Sequence, residues 1–146
     1  METSELDAVD ARIIGELRRN GRISWRELAD RVFLAPSSVA ERVRRLESQG
    51  VILGYAAQVA PDAIGRSTRA VVDVSLVPGD EADEFEQRLA ARDEVVFAGY
   101  VTGSADYSVQ VECRGTAGLD AFVRWVRADP AVASTESRLV LRSIVA

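Results

Sequence analysis

The sequence predicts an α+β chain. A helix-turn-helix (winged-helix-like) unit occupies residues 1–50, a strand-containing linker 51–66, and a ferredoxin-like β-α-β-β-α-β unit 67–146. Two observations carry this reading. Apolar residues recur at helical spacing through the first fifty positions, then switch to alternation near residue 70. Charge divides at the same place: residues 12–45 hold nine arginines against four acids, and residues 67–146 hold eight against thirteen. Such asymmetry fits a basic binding module joined to an acidic partner domain.

Each element has its own signal. Leu6, Val9, Ile13 and Leu17 form the stripe of a first helix, closed by Asn20-Gly21. Ser24-Trp25-Arg26-Glu27 reads as a capping box, with Ser24 and Glu27 each satisfying the other's amide. It opens a short helix that buries Leu28, Ala29 and Val32. Pro36 suits a first helical position, Val39, Val43 and Leu46 supply the third stripe, and Gly50 ends it. A strand and a Pro/Gly-bearing connector follow over 51–66.

In the second part, Ala70, Val72, Val74 and Leu76 alternate through a strand, and Pro78-Gly79-Asp80 turns into a helix carrying Ala82, Phe85 and Leu89. A strand over 95–102 and the turn Gly103-Ser104-Ala105-Asp106 lead to a third strand. There Tyr107, Val109, Val111 and Cys113 alternate with Ser108, Gln110, Glu112 and Arg114. Leu119, Phe122 and Val126 mark a helix, and residues 132–145 a last strand.

Composition narrows the chemistry. The chain of 146 residues is 47% hydrophobic and 28% charged, which suits a folded core and no membrane span. The acidic start METSELDAVD does not read as a secretory signal, and a lone Cys113 makes no internal disulfide, so a cytoplasmic location is expected. Histidine and lysine are both absent. That excludes Ser-His-Asp and Cys-His catalysis, Schiff-base chemistry and a P-loop lysine, and leaves a transition-metal site without its usual ligands. The chain therefore reads as a non-enzyme without metal or cofactor. The acidic run Asp80, Glu81, Asp83, Glu84 and Glu86 suits a helix start, and Trp25 and Trp125 suit core or interface.

Two helices joined by a tight turn, the second rich in Ser and Arg, read as a DNA-binding helix-turn-helix. With Val39, Val43 and Leu46 inward, Ser38, Arg42, Arg45 and Gln49 share another face. Arginine there can pair with guanine or grip phosphate, and Ser37 and Ser38 can bond a phosphate or base edge. Arg22, Ser24 and Arg26 complete the candidate DNA-contacting set. A solvated arginine face is the competing reading.

Leu6-Asp7-x-x-Asp10, Arg22-Ile23-Ser24, Glu27-Leu28-Ala29, Arg42-Val43-Arg44-Arg45-Leu46-Glu47 and Gly50-Val51-Ile52-x-Gly54-Tyr55 follow one another in order. In these motifs the chain resembles the leucine-responsive/asparagine-operon (Lrp/AsnC, feast/famine) transcription regulators. Val101-Thr102-Gly103-x-x-Asp106-Tyr107 is similar to the effector loop of that family, and Thr135-x-Ser137 falls where it has a T-x-T-like pair. The resemblance spans essentially the whole chain. It implies double-stranded DNA as partner, an amino acid or related small molecule as effector, and homodimers that assemble further, commonly to octamers. It also implies a cytoplasmic, nucleoid-associated regulator.

At the loop, backbone amides beside Gly103 could take a zwitterion's carboxylate and Asp106 its ammonium. Tyr100, Thr102, Ser104, Thr135 and Ser137 are the candidate neighbours. The alternative is a plain hairpin with Asp106 bonding its own turn. An architectural, nucleoid-type protein without an effector is the alternative for the whole chain.

Two residues depart from the family pattern. Phe33 stands where the turn between the DNA-binding helices usually has Gly, which predicts strain or a reshaped turn. Ala35 replaces the usual serine cap of the recognition helix, a loss of about 0.5–2 kcal/mol that Pro36 offsets in part.

Overall fold

A computed structural model describes residues 6–79 and 82–144. It forms two compact units, Met1–Gln58 and Val59–Ala146. Asp80 and Glu81 of the expected turn and acidic run, and Val145 of the expected last strand, lie outside the described residues.

The first unit contains α1 (Ala8–Arg19), α2 (Trp25–Val32) and α3 (Pro36–Ser48). Asp7 caps α1 in a capping box: its Oδ1 accepts from the Asp10 amide at 2.7 Å, and Asp10 Oδ2 accepts from the Asp7 amide at 3.4 Å. The box expected at α2 is only half made. Ser24 Oγ accepts from the Glu27 amide at 3.2 Å, but the Glu27 carboxylate turns to Arg31 at 2.7 Å. A charged donor one helical turn away outcompetes a neutral amide.

α2 ends with Phe33 at φ 59°, ψ 46°, so the turn keeps its left-handed residue although that residue is not glycine. The Leu34 amide donates to the Ala29 carbonyl at 3.1 Å, a Schellman closure. Phe33 is 82% exposed, with the Arg12 guanidinium 5.4 Å from its ring centroid. At α3 the backbone cap Ala35 makes no side-chain bond, as its identity requires. Gly50, at φ 70°, closes α3 while the Val51 amide reaches the Leu46 carbonyl at 2.9 Å. Ile13, Leu28, Val32, Val39, Val43 and Leu46 form the core.

No strand forms over 51–66. Strand backbone needs a neighbouring strand for its amides and carbonyls, and this segment has none among the described residues. Instead Tyr55 folds back, donating its hydroxyl to Glu47 at 2.9 Å and lying 3.3 Å from where a Cβ on Gly21 would stand. A short 3₁₀ turn, Pro61–Ile64, is the element found in the linker. Trp25, expected in a core or interface, is 46% exposed in the single chain.

The second unit runs β1 (Thr68–Leu76), α4 (Ala82–Ala90), β2 (Val95–Tyr100), β3 (Tyr107–Cys113), α5 (Gly115–Arg127) and β4 (Val132–Leu139). The strands form one sheet in the order β2-β3-β1-β4, antiparallel throughout. This is the expected ferredoxin-like plan, with β2 and β4 ending earlier than the sequence suggested. Val72, Val74, Val109 and Val111 meet Phe85 and Leu89 of α4 and Phe122 and Val126 of α5 in the core. Cys113 is buried there, and burial pushes its thiol up. Trp125 packs at the edge of this core beneath the Arg92 guanidinium.

Candidate nucleic-acid and effector sites

α3 carries two flanks with different fates. Of the set Ser38, Arg42, Arg45 and Gln49, expected to face outward, Arg42 and Arg45 are turned to the start of α1, and Gln49 is exposed. Arg42 donates to Asp7 at 2.5 Å and to Asp10 at 2.9 Å, and Arg45 donates to Asp10 at 2.7 Å. Asp10 is only 1% exposed, so the two guanidiniums solvate a buried carboxylate. Asp7 is held below the usual carboxylate range, first by the Asp10 amide and then by Arg42. Arg42 and Arg45 thus tie α3 to the start of α1, and Ser38 is half-buried.

The face opposite the core is Ser37, Glu41, Arg44 and Ser48, at i, i+4, i+7 and i+11 spacing. All four are exposed. Neither Glu41 nor Arg44 has a side-chain partner among the described residues. Arg22 and Arg26 are also exposed and their guanidiniums unpaired, while Ser24 is committed to its cap. Of the other cations of the unit, Arg31 binds Glu16 and Glu27, Arg19 binds Glu16, and Arg12 donates to the Arg31 carbonyl, while Arg18 at the end of α1 is exposed. Sequence reasoning missed Arg44 and Glu41. The available signal was the helical phase, since both stand farther from Val39, Val43 and Leu46 around the helix than Arg42 does.

In the second unit, Tyr100 ends β2, is 74% exposed, and sets its ring edge-on to Tyr107 at 5.4 Å. Thr102, Gly103 and Ser104 form an exposed loop, with Gly103 at φ 127°. The Ser104 carbonyl accepts from Ser75 Oγ at 3.5 Å. The Asp106 carboxylate does not bond its own turn, although the Asp106 carbonyl closes the loop by accepting from the Val101 amide at 2.8 Å. Asp106 Oδ2 accepts from the Leu76 amide of β1 at 2.7 Å, and the Asp106 amide donates to the Val74 carbonyl at 3.0 Å. The carboxylate therefore latches the loop to β1, with one oxygen already engaged.

Thr135 and Ser137 are on β4, opposite Val74 and Val72. β1 and β3 stand between them and Tyr100, three strand spacings or about 14 Å across the sheet. Thr135 Oγ1 accepts from Arg127 at 2.8 Å, and Ser137 is exposed. The loop stands closer than Tyr100 does, with only β1 between it and the β4 pair, since Asp106 is bonded to Val74 and Leu76. Among the described residues no group of three or more acidic or cysteine side chains could hold a metal ion, and no helix is long and apolar enough to cross a membrane.

Comparison with known proteins agrees with this geometry. Residues 6–47 match the AsnC-type helix-turn-helix domain, and residues 69–146 the Lrp/AsnC ligand binding domain. The chain is 34% identical to the Bkd operon transcriptional regulator of Pseudomonas aeruginosa, over 97% of this chain and 95% of that protein. It is 33% identical to the HTH-type transcriptional regulator LrpA of Mycobacterium tuberculosis, over 94% and 91% respectively. Among solved structures, a transcriptional regulator of Neisseria meningitidis in complex with L-methionine superposes with a TM-score of 0.91 at 30% identity, over 97% of this chain and 93% of that one. The feast or famine regulatory protein of M. tuberculosis complexed with L-methionine gives 0.87 at 31% identity, over 97% and 95%. Motif order, helix-turn-helix geometry, sheet topology and full-length similarity converge: the chain belongs to the Lrp/AsnC family of transcriptional regulators.

Proposed function

We propose that this chain is a sequence-specific DNA-binding regulator whose assembly or DNA binding is modulated by an amino acid. The observation that carries the DNA-binding part is the set of exposed, unpaired guanidiniums at Arg22, Arg26 and Arg44 around α2 and α3. A cation with no internal partner gives up no ion pair when it takes a phosphate, whereas Arg42 and Arg45 would have to leave Asp7 and Asp10. Ser37, at the exposed start of α3, and Ser38 beside it are the candidate contacts to phosphate or base. Arg42 and Arg45 are assigned first to holding α3 and only second to DNA.

The amino-acid part rests on the L-methionine complexes of two structural neighbours and on the exposed loop at Thr102, Gly103 and Ser104. Tyr100 offers an apolar face beside that loop. A site that uses both Tyr100 and Thr135 with Ser137 is completed between subunits, because β2 and β4, which carry them, are the two outer strands of one chain's sheet. An effector seated there links its own binding to homo-oligomer assembly. It shifts that equilibrium only by its differential affinity for the assembly states. The absence of histidine and lysine supports a regulator that works without imidazole-based catalysis or Schiff-base chemistry.

The test is binding of the full chain to DNA from upstream of its own gene, titrated against unrelated DNA at one stated salt concentration, with and without pooled amino acids. Selective binding that shifts with the pool supports the proposal, and splitting the pool names the effector. Equal affinity for both DNAs with no shift overturns it in favour of an architectural protein.

A further inference from the structure

Glu41 stands at the centre of the α3 face turned away from the core, six positions into the helix that begins at Pro36. An unpaired carboxylate is an odd occupant of a face that meets DNA, since every phosphate repels it. Its obvious neighbour does not neutralise it. Arg45 lies at i+4, the favoured spacing for an acid followed by a base, yet its guanidinium goes to Asp10 at 2.7 Å. Arg44 at i+3 also leaves Glu41 alone. The buried Asp10 thus draws away the cation that would otherwise quench this carboxylate.

A free carboxylate in the major groove is an acceptor looking for a donor. The groove's donors are the exocyclic amino groups of cytosine and adenine. Adenine presents its amino group beside the N7 acceptor, which repels the second carboxylate oxygen, whereas the cytosine edge offers the amino group without that neighbour. Resting on the DNA-binding reading above, we infer that Glu41 is a specificity-determining residue that accepts a hydrogen bond from the N4 amino group of a cytosine in each half-site. Its energetic role is discrimination: it repels non-cognate DNA generally and is compensated at one base.

The test is selection of duplexes with a randomised centre by the full chain, wild type beside Glu41→Ala and Glu41→Gln, followed by titration of the selected site at fixed salt. Wild type is expected to enrich cytosine at one symmetric position, with about a ten-fold loss when that base is changed. Glu41→Ala is expected to lose the preference there alone and to bind unrelated DNA as well as or better than wild type. Glu41→Gln is expected to move the preference toward adenine, which an amide pairs in bidentate fashion. Glu41 is exposed and without a partner, so neither change should lower the melting temperature. Unchanged preference at every position in both variants overturns the inference while leaving the regulator reading intact. A Glu41-dependent preference for a base other than cytosine overturns the cytosine assignment. Failure of wild type to enrich any sequence overturns this inference together with sequence-specific binding itself.

Discussion

The two units of this chain use the same residue pair, arginine on a buried aspartate, to different ends. In the first unit Asp10 collects Arg42 and Arg45 from α3, so the pair fixes the helix that would enter DNA. In the second, Asp129 is held by Arg88 of α4 through bonds of 2.7 and 3.0 Å and by the Ala131 amide at 3.0 Å. That pair ties α4 to the turn before β4. The difference teaches that an arginine's role is set by what shares its flank. A guanidinium with a buried carboxylate beside it is architecture first, whichever helix bears it.

If the units are energetically separate, core damage should stay local. Their cores share no residue. Phe122→Ala is expected to cost the second unit about 3–5 kcal/mol and to leave amide exchange in the core of the first unit unchanged. Equal loss of protection in both units would break the comparison at its root.

Removing the buried carboxylates tests the comparison next. Asp10→Ala strips α3 of its tie to α1 and is expected to cost about 2 kcal/mol, read as a lower denaturation midpoint for the first unit. Asp106→Ala removes one charge-assisted bond to the Leu76 amide and should cost the second unit about 1–2 kcal/mol. Any loss of amino-acid response in that variant then has to be separated from loop loosening, which exchange of the Leu76 amide reports directly.

Arginine substitutions sharpen the same point within α3. Arg44→Ala is expected to leave the melting temperature unchanged and to reduce the salt slope of DNA binding by about 1, as loss of one phosphate contact does. Arg42→Ala is expected to do the reverse, lowering the melting temperature through its lost bonds to Asp7 and Asp10. Matching behaviour of the two variants would show that the bonds to α1 do not decide their roles.

At the turn, Phe33→Gly is expected to stabilise the first unit by about 1 kcal/mol. It relieves a left-handed backbone position and gives up only an exposed ring beneath Arg12. No gain in the denaturation midpoint would mean that the Arg12–Phe33 contact offsets the backbone cost.

The parts of the fold legible in the sequence were those fixed by local chemistry. Alternation at Ala70–Leu76 and Tyr107–Cys113 located the central strands, and the missing glycine and missing serine at Phe33 and Ala35 were each visible in the turn. Asp7 and Asp10 also form a capping box that their spacing could have disclosed. What the sequence hid was long-range. Helical spacing groups Arg42 with Arg45, but only packing shows that this flank meets carboxylates 35 positions earlier. Helical phase alone would have pointed to Glu41 and Arg44. The strand expected over 51–66 failed for a related reason, since an apolar run cannot announce whether a neighbouring strand exists. Thr135 and Ser137 were grouped with Tyr100 by resemblance, and sheet order separates them.

The pH dependence of the second unit brackets its stability from both sides. At Asp129 burial opposes ionisation, but Arg88 and the Ala131 amide outweigh it and hold the carboxyl below its ordinary value of 3.8. A lowered folded value means the unfolded chain takes up the proton first. This contribution is therefore present above about pH 4 and is lost as pH falls through the lower, folded value. Tyr107 works in the opposite sense. Burial, then the hydrogen bond its hydroxyl donates to Glu86 at 2.6 Å, pushes it up to about 12 from 10.0. Its contribution is complete below pH 10 and disappears as pH rises through 12. Ultraviolet titration should show a late tyrosinate step near pH 12 that Tyr107→Phe abolishes. If the late step survives unchanged in that variant, it belongs to another tyrosine and Tyr107 is not the phenol held neutral. The first unit shares the acid limb through Asp7, which is also held low, and has an alkaline limb of its own at Tyr55, raised by burial and by its bond to Glu47.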